Sequence, residues 1–463
     1  MAGRGALMRQ NTMDASENEM DVEGEGGVPE GVIVVPKLVV TDSAKNPSRY
    51  AMKITASTET DIGGMRENQD DVYIWEDPGG GGVVLCVFDG HGREVGRVAA
   101  NAARAFLETW LVENFQQFRT GDQVAAFRSM FAGANSAVKA RFRAHYEERG
   151  EEIEEAPEGY LLKRRKNYGP WLCVFGGSSF SCICILPDKI LTANVGDSSA
   201  LLASTHGSLR GVTATRVADL AEGVTDNGSL AADLIVEDNE RVLMLTADHS
   251  PESPNEFNRM TASHPSRDGG HRPRMQMVYD NIGPDKSSCP QIFELGADGQ
   301  PSVTSNGRYW KNVRQEWACL VATPPYARFH DALAFTRSLG DLHLQSYGVS
   351  HMPEVYEFNL LELCEATATA CENGERTGFA IVAASDGIWD NWVFSDCMAY
   401  ALGDLEGSSC SLAEGLTGEG NKRANSALMA ENKRRAIANF GSQADNATSA
   451  LAFIEIILAD GRA

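Results

Sequence analysis

Aspartates recur at the margins of apolar runs in this chain. Val83-Val84-Leu85-Cys86-Val87-Phe88 ends in Asp89-Gly90-His91-Gly92, and Phe379-Ala380-Ile381-Val382-Ala383-Ala384-Ser385 ends in Asp386-Gly387-Ile388-Trp389-Asp390. Asp445-Asn446 precedes Ala450-Leu451-Ala452-Phe453-Ile454-Glu455-Ile456-Ile457-Leu458. A short apolar run bounded by turn signals has the pattern of a buried strand. A carboxylate at the end of such a strand faces the cleft at the sheet edge. Several carboxylates converging in a dry site cannot all stay ionised without a cation. The pattern therefore predicts a hard divalent metal held by oxygen ligands, with chemistry on a phosphate.

The elements that must position these groups follow from periodicity. A strand is expected near 52–56. The polar turn Asp61-Ile62-Gly63-Gly64-Met65-Arg66-Glu67-Asn68-Gln69-Asp70-Asp71 then leads into the strand Val72-Tyr73-Ile74-Trp75. After His91 the period becomes helical: Val95, Val98, Ala102, Phe106 and Trp110 share one face, and Val124, Phe127, Phe131, Ala134 and Val138 mark a second helix. Three strands follow at 180–186, 190–195 and 200–203, separated by Pro187-Asp188-Lys189 and Gly196-Asp197-Ser198. Helices packed on antiparallel strands make an α+β plan. Residues 147–168, 206–240 and 263–327 are expected to be insertions, and 406–432 to turn helical through Asn439. Residues 1–30 lack an apolar period and are expected to be disordered, within a largely disordered acidic segment 1–50; the run 31–40 could add a strand.

Composition narrows the function. The chain has 463 residues, 43% hydrophobic, with 41 Lys plus Arg against 64 Asp plus Glu, a formal net charge of −23. So acidic a balance argues against nucleic acid as the natural ligand. The cysteines stand at 86, 173, 182, 184, 289, 319, 364, 371, 397 and 410 without a Cys-x-x-Cys pair, which removes the usual zinc and dithiol spacings. No apolar stretch approaches a membrane span, and the N-terminus lacks the apolar core of a signal peptide. The expectation is an intracellular, cytoplasmic or nuclear protein, acting as a monomer away from membranes.

Taken in order, the polar motifs form a set. They are Arg66 with Asp70-Asp71, then Asp89-Gly90-His91-Gly92, Gly176-Gly177-Ser178-Ser179 and Asn194-Val195-Gly196-Asp197-Ser198. Leu245-Thr246-Ala247-Asp248-His249-Ser250-Pro251 and Phe335-Thr336-Arg337-Ser338-Leu339-Gly340-Asp341 come next, followed by Ala384-Ser385-Asp386-Gly387-Ile388-Trp389-Asp390 and Asp445-Asn446-Ala447-Thr448-Ser449. In these residues the chain resembles the type 2C metal-dependent protein serine/threonine phosphatases, the PPM family. Each motif alone is weak, but eight of them in one order span roughly residues 50–460. The resemblance implies a phosphatase domain over 51–463: a sandwich of two antiparallel β-sheets flanked by pairs of α-helices, with a metal cleft at one end.

It also implies a hydrolase acting on phosphoserine and phosphothreonine in protein substrates. Two Mg²⁺ or Mn²⁺ ions, about 4 Å apart, would activate a bridging water for direct attack on phosphorus. Asp89 is the expected bridging ligand, with the Gly90 carbonyl adding a ligand to one ion and Asp386 and Asp445 holding one from the later strands. The basic-residue count points to Asp70-Asp71, whereas the Gln-Asp step and the following strand point to Gln69-Asp70; Asp70 survives in both registers. Asp71 is either a metal residue or a strand residue facing solvent. Asp197, Asp386 and Asp390 resemble the weaker third metal site, although Asp197 and Asp390 could equally cap turns. Arg66 is the expected phosphate clamp, the alternative being a surface arginine paired with Glu67. His91 is the candidate general acid, the alternative being a histidine satisfied by its own turn. Arg337, Asp341 and Asp248-His249 read as scaffold. Ser178 and Ser179 lack a His/Asp relay, which argues against a nucleophilic serine.

The insertion 263–327 falls where the resemblance places a variable flap beside the active site. It carries Arg267, Arg272, Arg274, Tyr309, Trp310, Lys311 and Arg314 and is expected to contact substrate protein. Two other readings belong to different classes: a catalytically silent family member acting as a scaffold, and a metal-dependent nuclease. The retained aspartates speak against the first, and the net charge of −23 against the second.

Overall fold

The computed structural model describes residues 32–41, 50–224, 230–231, 235–236, 239–267, 270–283, 286–368, 376–405 and 411–458. The expected N-terminal tail 1–30, Cys371, Cys410 and parts of the 206–240 and 406–432 segments lie outside the described residues.

Two seven-stranded sheets carry the molecule. In one, the order is Val32–Val39, Tyr50–Asp61, Ala447–Leu458, Gly378–Ala384, Ser199–Ser204, Asn239–Met244 and Ile235–Val236. In the other it is Leu230–Ala231, Ala214–Asp219, Glu354–Asn359, Lys189–Val195, Phe180–Ile185, Val83–Phe88 and Asp71–Glu76. Every pairing within both sheets is antiparallel. The 31–40 run forms the edge strand of the first sheet, paired with Tyr50–Asp61, so folded structure begins inside the N-terminal fifty residues.

Alternation along the strands divides the core into layers. Val83, Leu85, Val87, Ile183 and Ile185 meet Ile54, Ile381, Ala452 and Ile454 between the sheets. The opposite faces bury Cys86, Phe88, Phe180 and Cys182 against the helices Gly96–Asn114 and Gln123–Glu148. On the far side, Val382, Leu451 and Phe453 pack against the helices Phe394–Leu402 and Gly418–Phe440. This is the expected α-β-β-α arrangement. The eight described cysteines are all buried and none is in a disulfide.

The expected insertions contain structure of their own. The 147–168 segment is not a loop: Glu151–Glu155, Leu161–Arg165 and Tyr168–Cys173 form a small antiparallel sheet. Its short, highly charged strands hide their period, and Lys163 is buried with its ammonium bonded to Glu94. The flap holds a second small sheet, Gln276–Tyr279, Cys319–Ala322 and Ala332–Leu333.

Arg337 confirms its scaffold reading. It is fully buried and donates to both carboxylate oxygens of Asp219, at 2.8 and 2.9 Å, and to Glu256. Glu354 stands 3.9 Å away. Replacing Arg337 with Met would strand the Asp219 carboxylate in the interior. Breaking a buried pair from one side costs about 3–5 kcal/mol, so Arg337→Met is expected to move the urea midpoint sharply down. An unchanged midpoint would show that the network contributes nothing.

Candidate active site

Strand register brings the aspartates together. Asp71 pairs with Phe88, Ser181 with Val87, and Phe180 with Val195, so Asp70, Asp89 and Asp197 leave the second sheet at the same end. In the first sheet Ser199 pairs with Ala384, and Ala384 with Ser449, which puts Asp386 and Asp445 at one end too. The two ends are joined: the Ser385 hydroxyl donates to Asp70 at 2.8 Å, and the Gln69 N–H donates to the Asn446 side chain at 2.8 Å.

Close backbone contacts hold this end shut. A Cβ on Gly90 would fall 2.4 Å from the carbonyl oxygens of Gln69 and Gly96. Gly63, at φ +63°, presses on the Asp445 carbonyl. Asn446 donates to the carbonyls of Ile62 and Glu67 at 2.9 and 3.0 Å, fixing the turn that carries Arg66. Arg66 is exposed. Glu67 does not hold it; that carboxylate lies 4.0 Å from Arg97.

Asp89 is the electrostatic centre. Burial, then the carboxylates of Asp70, Asp386, Asp445 and Asp197, push its pKa well above the ordinary value. Burial lifts Asp70 to about 7 against the Ser385 hydrogen bond, with Asp445 and Asp386 adding to the rise. Asp71 is separate. It neither faces solvent nor joins the cluster: its carboxylate lies 3.1 Å from Arg104 and accepts from the Val72 N–H. Asp70, common to both registers considered for the pair, lies in the cluster, and Asp71 lies outside it.

The donor set is all oxygen, which suits Mg²⁺ or Mn²⁺. Among the described residues no three His, Cys, Asp or Glu side chains converge tightly enough to grip a bare ion. Ions that keep several waters need no such grip. The elevation of Asp89 by burial and by Asp70, Asp386, Asp445 and Asp197 is the observation that fits a cation here, since a positive charge would relieve it.

This crowding has a testable sign in the metal-free protein. Asp70 rises from 3.8 to about 7 and, with burial first and Asp386 next, Asp197 rises to about 8. The native state then holds protons that the unfolded chain releases, so these groups make stability fall as pH rises from about 4 to about 8. With EDTA the melting temperature is expected to drop across that window, and added Mn²⁺ should raise it more at pH 8 than at pH 5. Equal Mn²⁺ shifts at both pH values would refute the crowding.

His91 is not satisfied by its own turn. Its Nε2 lies 2.6 Å from Asp341 Oδ2, which also accepts from the Ser338 hydroxyl at 2.6 Å. Burial lowers the His91 pKa, but Asp341 outweighs it and the net direction is up. His91 Nδ1 has no partner. Asp341 thus forms a buried ion pair, as its scaffold reading expects, with His91 as the partner, and its backbone is left-handed at φ +44°. Asp331, lifted to about 7 by burial and then by Asp341, stands beside this pair and carried no signal in the sequence. Ser179 bonds Ser198 at 2.6 Å and, like Ser178, is fully buried, so neither hydroxyl is exposed for attack.

A flap cation, Lys311, paired with Glu316 at 3.5 Å, lies within electrostatic reach of Asp197 and Asp390. Burial would lower the Lys311 pKa, yet Asp248, Glu316, Asp197 and Asp390 hold it above its ordinary value. In the hairpin bearing Lys311, Trp310 stacks on Trp317 at 3.4 Å between ring centroids. Its tip docks on the turn after Asp386: the Val313 N–H donates to the Asp390 carbonyl at 3.1 Å, and Arg314 donates to the carbonyls of Trp389 and Trp392.

Fold and site together define an α-β-β-α sandwich whose one end gathers buried aspartates beside an oriented histidine. The chain is similar to Probable protein phosphatase 2C 64 of Oryza sativa subsp. japonica, with 26% identity over 341 residues, 73% of this chain and 53% of that protein. The chain thus spans about half the length of the curated relative it matches. That likeness agrees with the resemblance carried by the eight motifs. No family model matches. Solved structures with some likeness include a serine-threonine phosphatase 2C from Toxoplasma gondii, with TM-score 0.49, 15% identity, and coverage of 92% of this chain and 99% of that one. Another is the PstP/Ppp phosphatase of Mycobacterium tuberculosis, with TM-score 0.37, 13% identity, and coverage of 86% and 98%.

Proposed function

We propose that this protein is a metal-dependent phosphatase acting on phosphoserine and phosphothreonine in proteins. The observation that carries the reading is the convergence of Asp70, Asp89, Asp386 and Asp445 next to the His91–Asp341 pair. The sequence likeness to a protein phosphatase 2C supports it.

Asp70, Asp89, the Gly90 carbonyl, Asp386 and Asp445 would hold two Mg²⁺ or Mn²⁺ ions. Such ions, when bound, lower the pKa of a water and screen the charge of a phosphate dianion. The Arg66 guanidinium, free of a carboxylate partner among the described residues, takes two phosphate oxygens and orients the ester. Water adds to phosphorus as the bond to the serine or threonine oxygen breaks. His91, held by Asp341, gives that oxygen its proton. Lys311 already offsets Asp197 and Asp390, so the chain itself supplies a positive charge at the place a third ion would take.

The test is phosphate release from a phosphothreonine peptide with Mn²⁺ or Mg²⁺, with EDTA, and with Asp386→Asn. Release that requires a metal and is lost in the variant supports the reading. Absence of release from folded protein with either metal overturns it.

A further inference from the structure

A second charged pocket lies in the flap, and none of the site aspartates lines it. Arg267, Arg272 and Arg274 line a pocket of about 510 Å³ whose walls include Phe257, Met277 and Phe293. The Arg267 guanidinium lies 3.8 Å over the Tyr326 ring. Arg272 donates to the Phe293 carbonyl at 3.2 Å. The Nε of Arg274 is buried without a partner.

None of the three arginines has a carboxylate partner among the described residues. For Arg272 and Arg274, which are half-buried where Arg267 is exposed, that is anomalous in this chain. Acidic residues exceed basic ones by 64 − 41 = 23, and the less exposed arginines elsewhere have found them: Arg104 has Asp71, Arg164 has Glu152, Arg216 has Glu354, Arg259 has Glu256 and Arg314 has Glu316. Three guanidinium groups thus line one pocket with no carboxylate bonded to any of them among the described residues. Arginine forks match carboxylate and phosphate oxygens bidentately, and the apolar walls weaken competition from water.

We propose that this arginine pocket is a docking site for an acidic or phosphorylated peptide segment, separate from the candidate metal centre. That the segment belongs to a substrate rests on the phosphatase reading; the binding itself does not. The strand Cys319–Ala322 joins the hairpin docked at Asp390 to Pro324, Pro325 and Tyr326 in the pocket.

The experiment uses the full chain in EDTA, which removes turnover. Fluorescence anisotropy follows one labelled peptide carrying three aspartates and another carrying three phosphoserines. The variants are the double substitution Arg267→Gln with Arg274→Gln, and Arg267→Gln alone in case the double fails to fold. Binding by wild type that weakens at least tenfold in either folded variant supports the proposal, and the tighter peptide identifies carboxylate or phosphate as the preferred group. With Mn²⁺ restored, hydrolysis of a small phosphate ester should be unchanged in the variants. Unaltered peptide binding in the variants, loss of binding in Asp89→Asn, or displacement of the peptide by single-stranded RNA at lower concentration overturns it. Arginine-dependent binding in a protein that releases no phosphate would keep the docking site and reject the phosphatase reading.

Discussion

Asp89→Asn is expected to lower metal-dependent phosphate release by roughly 10³-fold or more, beyond the 10–100-fold typical of losing an outer partner of a metal site. The substitution preserves shape and removes one negative charge from the group that faces Asp70, Asp386, Asp445 and Asp197 at once. The same geometry predicts opposite effects on stability and on metal response. Without metal, Asp89→Asn should melt higher than wild type at neutral pH, because burying Asp89 there requires either protonating it or leaving it charged beside the other carboxylates. With Mn²⁺, the ligand-induced rise in melting temperature should shrink, since stabilisation follows affinity for the native state. Asp71→Asn is the control. Its carboxylate is paired with Arg104 instead of the cluster, so activity should stay within a few-fold while stability falls. Equal losses in the two variants, or an active Asp89→Asn protein, would remove Asp89 from the centre.

How much of this was legible in the chain depends on which interaction sets each feature. Strands such as Val83–Phe88 and Phe180–Ile185 announce themselves because both faces are buried, which leaves an apolar run with no polar interruption. The helix Gly96–Asn114 shows its period because one face packs and the other does not. Aspartates at strand ends then follow from register. The small sheet 151–173 was missed because its strands are short and charged, and partners such as Glu152 and Arg164 become visible only in three dimensions. The partner of Asp341 was hidden for the same reason. Nothing in Ser338-Leu339-Gly340-Asp341 shows that the carboxylate crosses 250 positions to reach His91. A flap lysine within electrostatic reach of Asp197 and Asp390 is likewise a product of how the hairpin docks, for which local sequence carries no signal.

The histidine pair gives the second large effect. His91→Gln is expected to slow release from a phosphothreonine peptide by about 10²–10³-fold, within the range for loss of a general acid. Hydrolysis of p-nitrophenyl phosphate should fall by about tenfold or less, because its weakly basic leaving group departs as an anion and needs little help from a proton donor. A residue that merely supports the fold would depress both substrates alike. Asp341→Asn separates orientation from proton donation. Asparagine tolerates the left-handed backbone at this position, and it removes the charge that raises the His91 pKa. A general acid works in its protonated form, so the peptide rate falls as pH rises through its pKa. With the pKa lowered, that falling limb should move to lower pH for the peptide and stay in place for the nitrophenyl ester. If the limb does not move, or moves equally for both substrates, the proton comes from elsewhere and the His91–Asp341 contact serves only to close the turn after Asp89.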